Sequence, residues 1–470
     1  MSFNWFAAAS HGHHAAKVST GVTVFFACLL VAMIAALALE EKLHAKKSVI
    51  VGIFAVISLL MAAILGILPV TEGSYFVPVG DHIKLPVYIP AIDWGVIAII
   101  LGSSLFVDIT SKSGLFTWIA IKLTKASKGD PMMLLIFYGV MTVVFSAVLN
   151  NVTAMIIVGS LTGVSLKKLQ RSDKLLGFLL VEGLLTNIGG LLTLISSVPN
   201  IIVGKAAKIS FMKFFVVASP YVVIATFVTI WLGARIFGIK RLQSDEEKAA
   251  AAEQVKGFDE NDGIESTFFF WFGTIMTGLF IVTLASTSFL PYISGLGMGY
   301  VALSFAAIMM IRFKASADKF YAAVDWDLLG FFAALFVVIN VMEHAMVLNV
   351  IGVGLSKVIA MGKLTGSGMI LVMTAVFSSV TDNIPLAAML AKILQQLKTP
   401  ADSPLWWSVV FGGNLGGNLT PIGSASTLVA VTIIHRYKLN LSFAGFVKQA
   451  IPFATIQIVL ATAYVLLFLQ

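Results

Sequence analysis

Residues 377–386, with the sequence Phe-Ser-Ser-Val-Thr-Asp-Asn-Ile-Pro-Leu, decide how the chain is interpreted. They place a carboxylate (Asp382), an amide (Asn383) and a helix-breaking proline (Pro385) inside an apolar run. Residues 145–154, Phe-Ser-Ala-Val-Leu-Asn-Asn-Val-Thr-Ala, align with this stretch position for position. The chain therefore carries two copies of one unusual motif.

The offset in residue number between the two copies recurs elsewhere in the chain. Two further matches at the same offset indicate a duplicated unit about half the chain long. The matching pairs are Ile-Asp-Trp at 92–94 with Val-Asp-Trp at 324–326, and the Phe-x2-Phe-x5-Pro pattern at 211–220 with the same pattern at 443–452.

The composition predicts an integral membrane protein. Of the 470 residues, 59% are hydrophobic and only 11% are charged, whereas about a quarter are charged in soluble domains. The net charge of +8 comes from short basic clusters between apolar runs, which is typical of membrane topology and not of a nucleic-acid partner. We expect a multi-pass protein of the cell (inner) membrane in contact with lipid. Apolar runs long enough to span lie at 18–39, 49–70, 211–237, 267–290 and 450–469.

Each motif copy predicts a re-entrant hairpin, because the apolar runs on either side of it are too short to pair as ordinary spans. We place the hairpins at about 131–165 and 365–398. Seven lysines and arginines flank the first and four flank the second, the bias expected if the two enter from opposite sides, the first from the cytoplasm. The flanking residues are Lys122, Lys125, Lys128, Lys167, Lys168, Arg171 and Lys174 for the first, and Lys357, Lys363, Lys392 and Lys398 for the second.

Two further apolar stretches, 175–205 and 405–435, are interrupted at mid-length by glycine, asparagine and proline. Irregular backbone at membrane depth is tolerated only where it is buried in protein or lines a cavity. We therefore expect one broken helix in each half, with its break in the interior. A third interruption, residues 111–114, predicts a kinked or broken helix after Asp93.

Residues 239–266 form a long polar segment, which we interpret as a cytoplasmic linker between a first repeat (1–238) and a second (267–470). Each half has about five spanning elements, and an odd number of crossings inverts the second copy, as in many secondary transporters. The predicted fold is an all-α integral membrane protein. It has two inverted-topology repeats, each with about five transmembrane helices, one re-entrant helical hairpin and one broken helix.

Such tips and breaks bring helix N-termini and unwound carbonyls together near the midplane, where they can bind an ion or a polar solute. Amide and hydroxyl oxygens are hard neutral donors suited to sodium. We expect sodium at Asn151, Asn187, Asp382, Asn383 and Asn414. The full set of candidate binding residues is Asn150, Asn151, Thr153, Asn187, Asn200, Asp382, Asn383, Asn414, Asn418, Thr420, Ser424, Ser426 and Thr427.

Two carboxylates are candidates for proton coupling, because ionisable residues within the membrane are rare and mark ion pathways. Asp382 could exchange a proton for a cation, and Glu182 lies five residues before Asn187. The alternative for Asp382 is a structural helix cap, since aspartate before Pro385 suits a helix start. For Glu182 the alternative is a structural pair with a lysine.

These motifs together resemble the ion transporter superfamily, within it the branch of NhaD-type sodium/proton antiporters, ArsB-type arsenite permeases and the P protein. The likeness extends from about Ile92 onward. It implies two hairpins and two unwound helices that form paired half-sites, with elevator-like movement against a scaffold that often dimerises. A homodimer is thus implied. This chain has Asn150 where the pattern often has Asp, so Asp382 is left as the main charged candidate.

The first functional prediction is a secondary transporter that exchanges sodium or lithium for protons. The alternatives are an arsenite- or antimonite-type efflux permease and a sodium-coupled carboxylate symporter. We expect sodium and protons as coupling ions, a small ion or solute as substrate, no cofactor and no enzymatic activity, since neither His-Glu-x-x-His nor Gly-x-Ser-x-Gly occurs.

Overall fold

A computed structural model describes residues 18–68, 71–76 and 82–469. Positions 1–17 of the predicted first repeat lie outside the described ranges. In the first half the chain folds into helices joined by short turns, with one 3₁₀ turn, Ser172–Lys174. These helices are α1 Thr20–Ala38, α2 Glu40–Leu43, α3 Lys47–Ile64, α4 Tyr88–Ala91, α5 Trp94–Ser111, α6 Leu115–Ala126, α7 Pro131–Val148, α8 Asn151–Lys168, α9 Leu175–Gly189, α10 Val198–Ala206 and α11 Phe211–Ile236.

The linker contributes α12, Asp245–Lys256, and the second half repeats the pattern of the first with one 3₁₀ segment, Ile311–Ser316. Its helices are α13 Thr267–Ser286, α14 Ile293–Met310, α15 Ala317–Ala323, α16 Trp326–His344, α17 Val347–Ile359, α18 Lys363–Val380, α19 Asn383–Gln396, α20 Pro404–Gly416, α21 Ala425–Arg436 and α22 Phe443–Phe468.

The duplication is visible in the helix starts. Helices α5 and α16, α7 and α18, α8 and α19, and α11 and α22 each begin at the offset that separates the two motif copies. Both hairpins (α7–α8 and α18–α19) and both broken helices (α9–α10 and α20–α21) are present, and so is the interruption between α5 and α6. The predicted fold class is confirmed.

The described chain also contains a short two-stranded sheet after α3. Residues Thr71–Phe76 (β1) pair antiparallel with His82–Pro86 (β2), with Thr71 opposite Pro86. Proline is tolerated at the end of such an edge strand because it only lacks one donor. Strand β2 contacts the short helix α4, and the two strands do not change the fold class.

Local capping fixes both hairpin turns. The side chain of Asn150 accepts a hydrogen bond from the Thr153 backbone N–H at 2.8 Å. At the equivalent turn the Asp382 carboxylate accepts from the Ile384 N–H at 3.0 Å. Each residue is thus the N-cap of the returning arm, where a short polar side chain satisfies a free backbone donor.

The helices form two packed sets. In the first, α3 packs along α16 and α5 along α14, with α1 and α13 beside them; we call this the outer bundle. In the second, α7 packs on α9 and α18 on α20, with α8, α10, α11, α19, α21 and α22; we call this the hairpin bundle. All residues of α20, and all of α9 except Leu176, are buried, so the broken helices form the centre of the hairpin bundle.

Close helix approach at two glycines holds each hairpin to its broken helix. A Cβ on Gly189 would meet the Val143 carbonyl oxygen at 2.6 Å, and one on Gly416 would come still closer to the Ala375 carbonyl oxygen. These are equivalent positions in the two repeats. Only glycine fits where two backbones approach this closely.

We expect Gly416→Ala to lower stability by about 1–3 kcal/mol, the usual cost of forcing an extra methyl group into a packed interior. The matched control is Gly413→Ala on the same helix, where a Cβ would meet nothing within 4 Å. Thermal unfolding of the detergent-solubilised protein measures both. Equal midpoints for the two variants would contradict the packing argument.

The linker is attached to α6 by an ion-pair cluster. Glu260 accepts hydrogen bonds from Lys125 and from Lys122, the latter at 2.9 Å. These two lysines lower the pKa of Glu260 to about 2. The pairing is therefore complete at neutral pH, and its contribution to stability is lost only as the pH falls from about 4.5 toward 2.

We expect Glu260→Gln to speed tryptic cleavage of the linker at neutral pH, because the neutral amide holds both lysines more weakly. The control is Glu265→Gln, since Glu265 has no ion pair within the described residues. A time course of limited proteolysis on the purified protein checks this. Equal rates for the two variants would mean that the cluster does not hold the linker.

Candidate functional site

The tip of the first hairpin lies against the break of α9–α10. The Asn151 side chain covers Gly190, where a Cβ would approach it to 2.6 Å. Its Oδ1 accepts from Ser146 Oγ at 2.7 Å, and its amide donates to Asn187 Oδ1 at 3.3 Å. The sequence-predicted residues Asn151 and Asn187 are therefore in direct contact.

Asn187 links the two repeats at the centre of the hairpin bundle. Its amide nitrogen donates to Asn418 Oδ1 at 2.8 Å and to Ser424 Oγ at 2.9 Å. Its Oδ1 also accepts from Ser426 Oγ at 3.0 Å. All of these side chains are buried, so one fully bonded amide joins both broken helices.

Asn418 extends this network to residues that sequence reasoning missed. Its amide nitrogen donates to the Leu184 carbonyl at 3.1 Å and to Gln457 Oε1 at 2.8 Å, and Gln457 in turn donates to Thr229 Oγ1 at 3.0 Å. Gln457 and Thr229 lie on α22 and α11. A buried glutamine in an apolar spanning helix was the available signal for this contact.

A second contact between the repeats joins Asn200 to Asn414. The Asn414 amide nitrogen donates to Asn200 Oδ1 at 2.9 Å, and Asn200 donates to the Gly190 carbonyl at 2.6 Å.

Two of the predicted site residues are threonines that lie beside these asparagines. The Thr420 hydroxyl donates to the Ser379 carbonyl, and Thr427 Oγ1 contacts Ser424 Oγ at 2.9 Å.

We call Asn151 and Asn187 the first half-site and their counterparts Asn383 and Asn414 the second. The two half-sites differ in the hydrogen bonds that their side-chain amides make. Asn414 is the counterpart of Asn187, but its Oδ1 is buried and has no hydrogen-bond partner among the described residues. Asn383, the counterpart of Asn151, is 7% exposed, and within the described part of the chain its side chain makes no hydrogen bond. The second half-site therefore presents amide oxygens without hydrogen-bond donors, whereas the equivalent oxygens of the first half-site are paired.

Asp382 lies at the edge of this second half-site and contacts the outer bundle. Its Oδ2 accepts from Lys47 Nζ at 2.6 Å, while its Oδ1 caps α19. The side chain is 14% exposed. No sequence signal pointed to Lys47, which is the first residue of α3. Asp382 therefore combines a capping role with an ion pair.

Glu182 is fully buried in α9, away from the amide network. Its Oε1 accepts from Thr162 Oγ1 at 2.6 Å, and its Oε2 has no partner among the described residues. No lysine or arginine of the described chain pairs with it, so the predicted alternative of a lysine partner is absent there. Asn150 and Thr153, the other two predicted residues, are joined by the α8 cap, and in the described residues their side chains make no hydrogen bond to the central amides.

Among the described residues, ten helices are long and apolar enough to cross a membrane. They include the hairpin arms α7 and α18 and leave out the broken helices, each of which is split into two short segments. This supports the multi-pass membrane location. The expectation that the apolar runs beside each motif copy are too short to span is wrong for the first arm of each hairpin, since each is a regular helix of 18 residues.

Comparison with known proteins gives relatives of the same kind. The chain is 27% identical over 379 residues to an uncharacterized transporter of Mycobacterium bovis, covering 79% of this chain and 86% of that one. It is 28% identical over 379 residues to a 46 kDa membrane protein of Mycobacterium leprae, with the same coverage. The human P protein is 23% identical over 490 residues, covering 88% of this chain and 58% of that protein.

Two solved structures share the fold at 14% identity. The YdaH transporter of Alcanivorax borkumensis, described as having an unusual topology, superposes with a TM-score of 0.59 over 90% of this chain and 98% of its own. MtrF of Neisseria gonorrhoeae, described with a class of antimetabolite efflux pumps, gives 0.55 over 90% and 95%.

Residues 34–412 match the family described as CitMHS, citrate transporter. With the paired hairpins and broken helices, this match settles the family and the general function. The chain belongs to the CitMHS citrate transporter family of the ion transporter superfamily and is a multi-pass secondary transporter.

Proposed function

We propose that this transporter exchanges sodium or lithium for protons by elevator-type alternating access, with the cation bound in the second half-site. The observation that carries the proposal is the buried Asn414 Oδ1, which has no hydrogen-bond donor among the described residues. A buried carbonyl oxygen without a partner costs about 1–3 kcal/mol. A cation at this oxygen would remove that cost.

The chemistry of the half-site suits an alkali cation. Asn414 and Asn383 offer neutral amide oxygens, and the unwound segment 417–424 offers backbone carbonyls. Hard oxygen ligands of this kind suit small hard cations. The equivalent amides Asn151 and Asn187 bond to each other and to serines, so we assign one cation to the site and not two.

Glu182 is our candidate for the proton carrier. A buried carboxylate with one hydroxyl donor and no cation nearby in the described chain is costly when ionised. We propose that Glu182 holds a proton in the state seen here and releases it when the hairpin bundle moves.

A small carboxylate is the second candidate substrate, because the family is described as citrate transporters. The N-termini of α8, α10, α19 and α21 converge on the two half-sites, and helix N-termini favour anions. Against this candidate, the described central network of amides and hydroxyls includes no arginine, lysine or histidine, so an organic trianion would lack a cationic side chain.

Proteoliposomes with a trapped pH dye test the first candidate. We expect external sodium or lithium to drive saturable proton movement without any organic anion. Asn414→Ala should raise the half-saturating sodium concentration about tenfold, since one ligand oxygen and about 1.4 kcal/mol of binding are lost. Ser408→Ala on the same helix is the control: the Ser408 hydroxyl bonds to the Pro404 carbonyl one turn back, so its loss should leave sodium affinity within about twofold.

Proton movement only when citrate is also present would replace the exchanger with the carboxylate candidate. Sodium responses unchanged in Asn414→Ala would remove the second half-site as the cation site. Saturable arsenite uptake without any sodium response would support the permease instead.

Glu182→Gln tests the proton carrier. Glutamine keeps an oxygen for the Thr162 hydroxyl but cannot release a proton. We expect sodium binding to remain and sodium-driven proton movement to fall to background in the same vesicles. The control is Glu253→Gln, an exposed acid of the linker helix α12 that makes no contact between the bundles in the described ion pairs. Retained proton movement in Glu182→Gln would assign the proton to another group.

A further inference from the structure

Within the described ranges, three ion pairs join the hairpin bundle to the outer bundle. Lys47 pairs with Asp382 at 2.6 Å, Lys392 with Glu343 at 2.9 Å, and Lys205 with Asp93. In each pair one partner belongs to one bundle and the second to the other. Any movement of one bundle along the other has to break them.

The three pairs lie at two different ends of the molecule. Helix α16 begins next to Lys47, because Asp327 accepts a hydrogen bond from the Ser48 N–H at 3.1 Å. The same helix ends at the Glu343 pair, about 24 Å away at 1.5 Å per residue. Gln395 bonds to the Ala206 carbonyl at 3.3 Å, so the Lys205 pair also belongs to this far end. Of the three pairs, only Lys47–Asp382 lies at the opposite end, where α16 begins; we call this the near end.

Lys47 is the partner whose acid, Asp382, directly precedes Asn383 of the proposed cation site. Its ammonium lies among acidic groups, with Glu40 Oε1 at 3.8 Å as well as Asp382. An open cleft of about 410 Å³ adjoins Lys47. The cleft is lined by Glu40, His44, Ala45, Lys46, Lys47 and Asp327.

We propose that Lys47 is a tethered cation that competes with the transported cation for the Asp382 carboxylate, so that binding of the ion releases the hairpin tip from the outer bundle. This inference rests on the proposed sodium site. The lysine ammonium is a compact point charge on a flexible stem, and it occupies Oδ2 while Oδ1 stays on the Ile384 N–H. A sodium ion beside Asn383 repels the ammonium and takes over its partner.

The competition has a structural consequence. With the site empty, the Lys47 pair ties the tip to α3 and keeps the bundles together. With the site filled, that tie is lost, and of the three ion pairs the two at the far end remain. Lys47 is thus a positioning residue that makes bundle movement depend on the bound ion.

The test is sodium affinity, measured as binding of radiolabelled sodium to the purified full-length protein in detergent. We expect Lys47→Met to bind sodium at least about tenfold more tightly than wild type, equivalent to about 1.4 kcal/mol, because the competitor is gone and Asp382 is uncompensated. Lys47→Arg keeps the charge and should stay within about twofold. Lys205→Met, which removes a far-end pair, should also stay within about twofold.

A double-mutant cycle shows whether Lys47 acts through Asp382. In an Asp382→Asn background, Lys47→Met should change sodium affinity by less than about twofold. Wild-type sodium binding with no gain in Lys47→Met would overturn this inference and leave the proposed function intact. Absence of sodium binding in wild type would overturn both, and an equal gain in Lys205→Met would mean that general loosening is responsible.

Discussion

The fold depends on satisfying the backbone groups that two helix breaks and two hairpin turns release inside the membrane. Lipid offers no partners, so each freed carbonyl needs a donor from the protein. Side-chain hydroxyls supply these donors at equivalent places in both repeats and thereby tie each tip to its break. The bonds run from Ser146 to the Thr186 carbonyl, Ser378 to Gly413, Thr193 to Ala147 and Thr420 to Ser379.

The two repeats keep one backbone frame but carry different chemistry. In the first half-site Asn151 donates to Asn187 Oδ1 and accepts from Ser146, so both amide oxygens are paired with protein donors. In the second, Asn414 Oδ1 is left without a donor in the described chain, and a charged residue, Asp382, replaces the neutral cap Asn150. A duplicated scaffold can thus dedicate one half to structure and leave the other half for a ligand.

Much of this was predictable from the sequence. The constant offset between the motif copies predicted the duplication. The runs beside each copy predicted the hairpins, and glycine with asparagine in apolar runs predicted the breaks, because these two signals are local. Lys47 was not predictable as a partner of Asp382, since the two are far apart in the chain and meet only when the bundles pack. Asn187 and Asn414 look alike in sequence, and only their neighbours distinguish a satisfied amide from an unsatisfied one. The strands β1 and β2 and helix α12 were not predicted, because their sequences lack a strong apolar periodicity.

The hairpin arms have a consequence for how the chain enters the membrane. Helix α7 is 18 residues long and apolar, about 27 Å, so during synthesis it satisfies the criterion for a complete crossing before α8 has emerged. Its return depends on α9, whose break receives the tip. A reporter fused after Val148 would record a crossing that the finished protein does not make, and truncation fusions would give a topology with the wrong sidedness beyond this point.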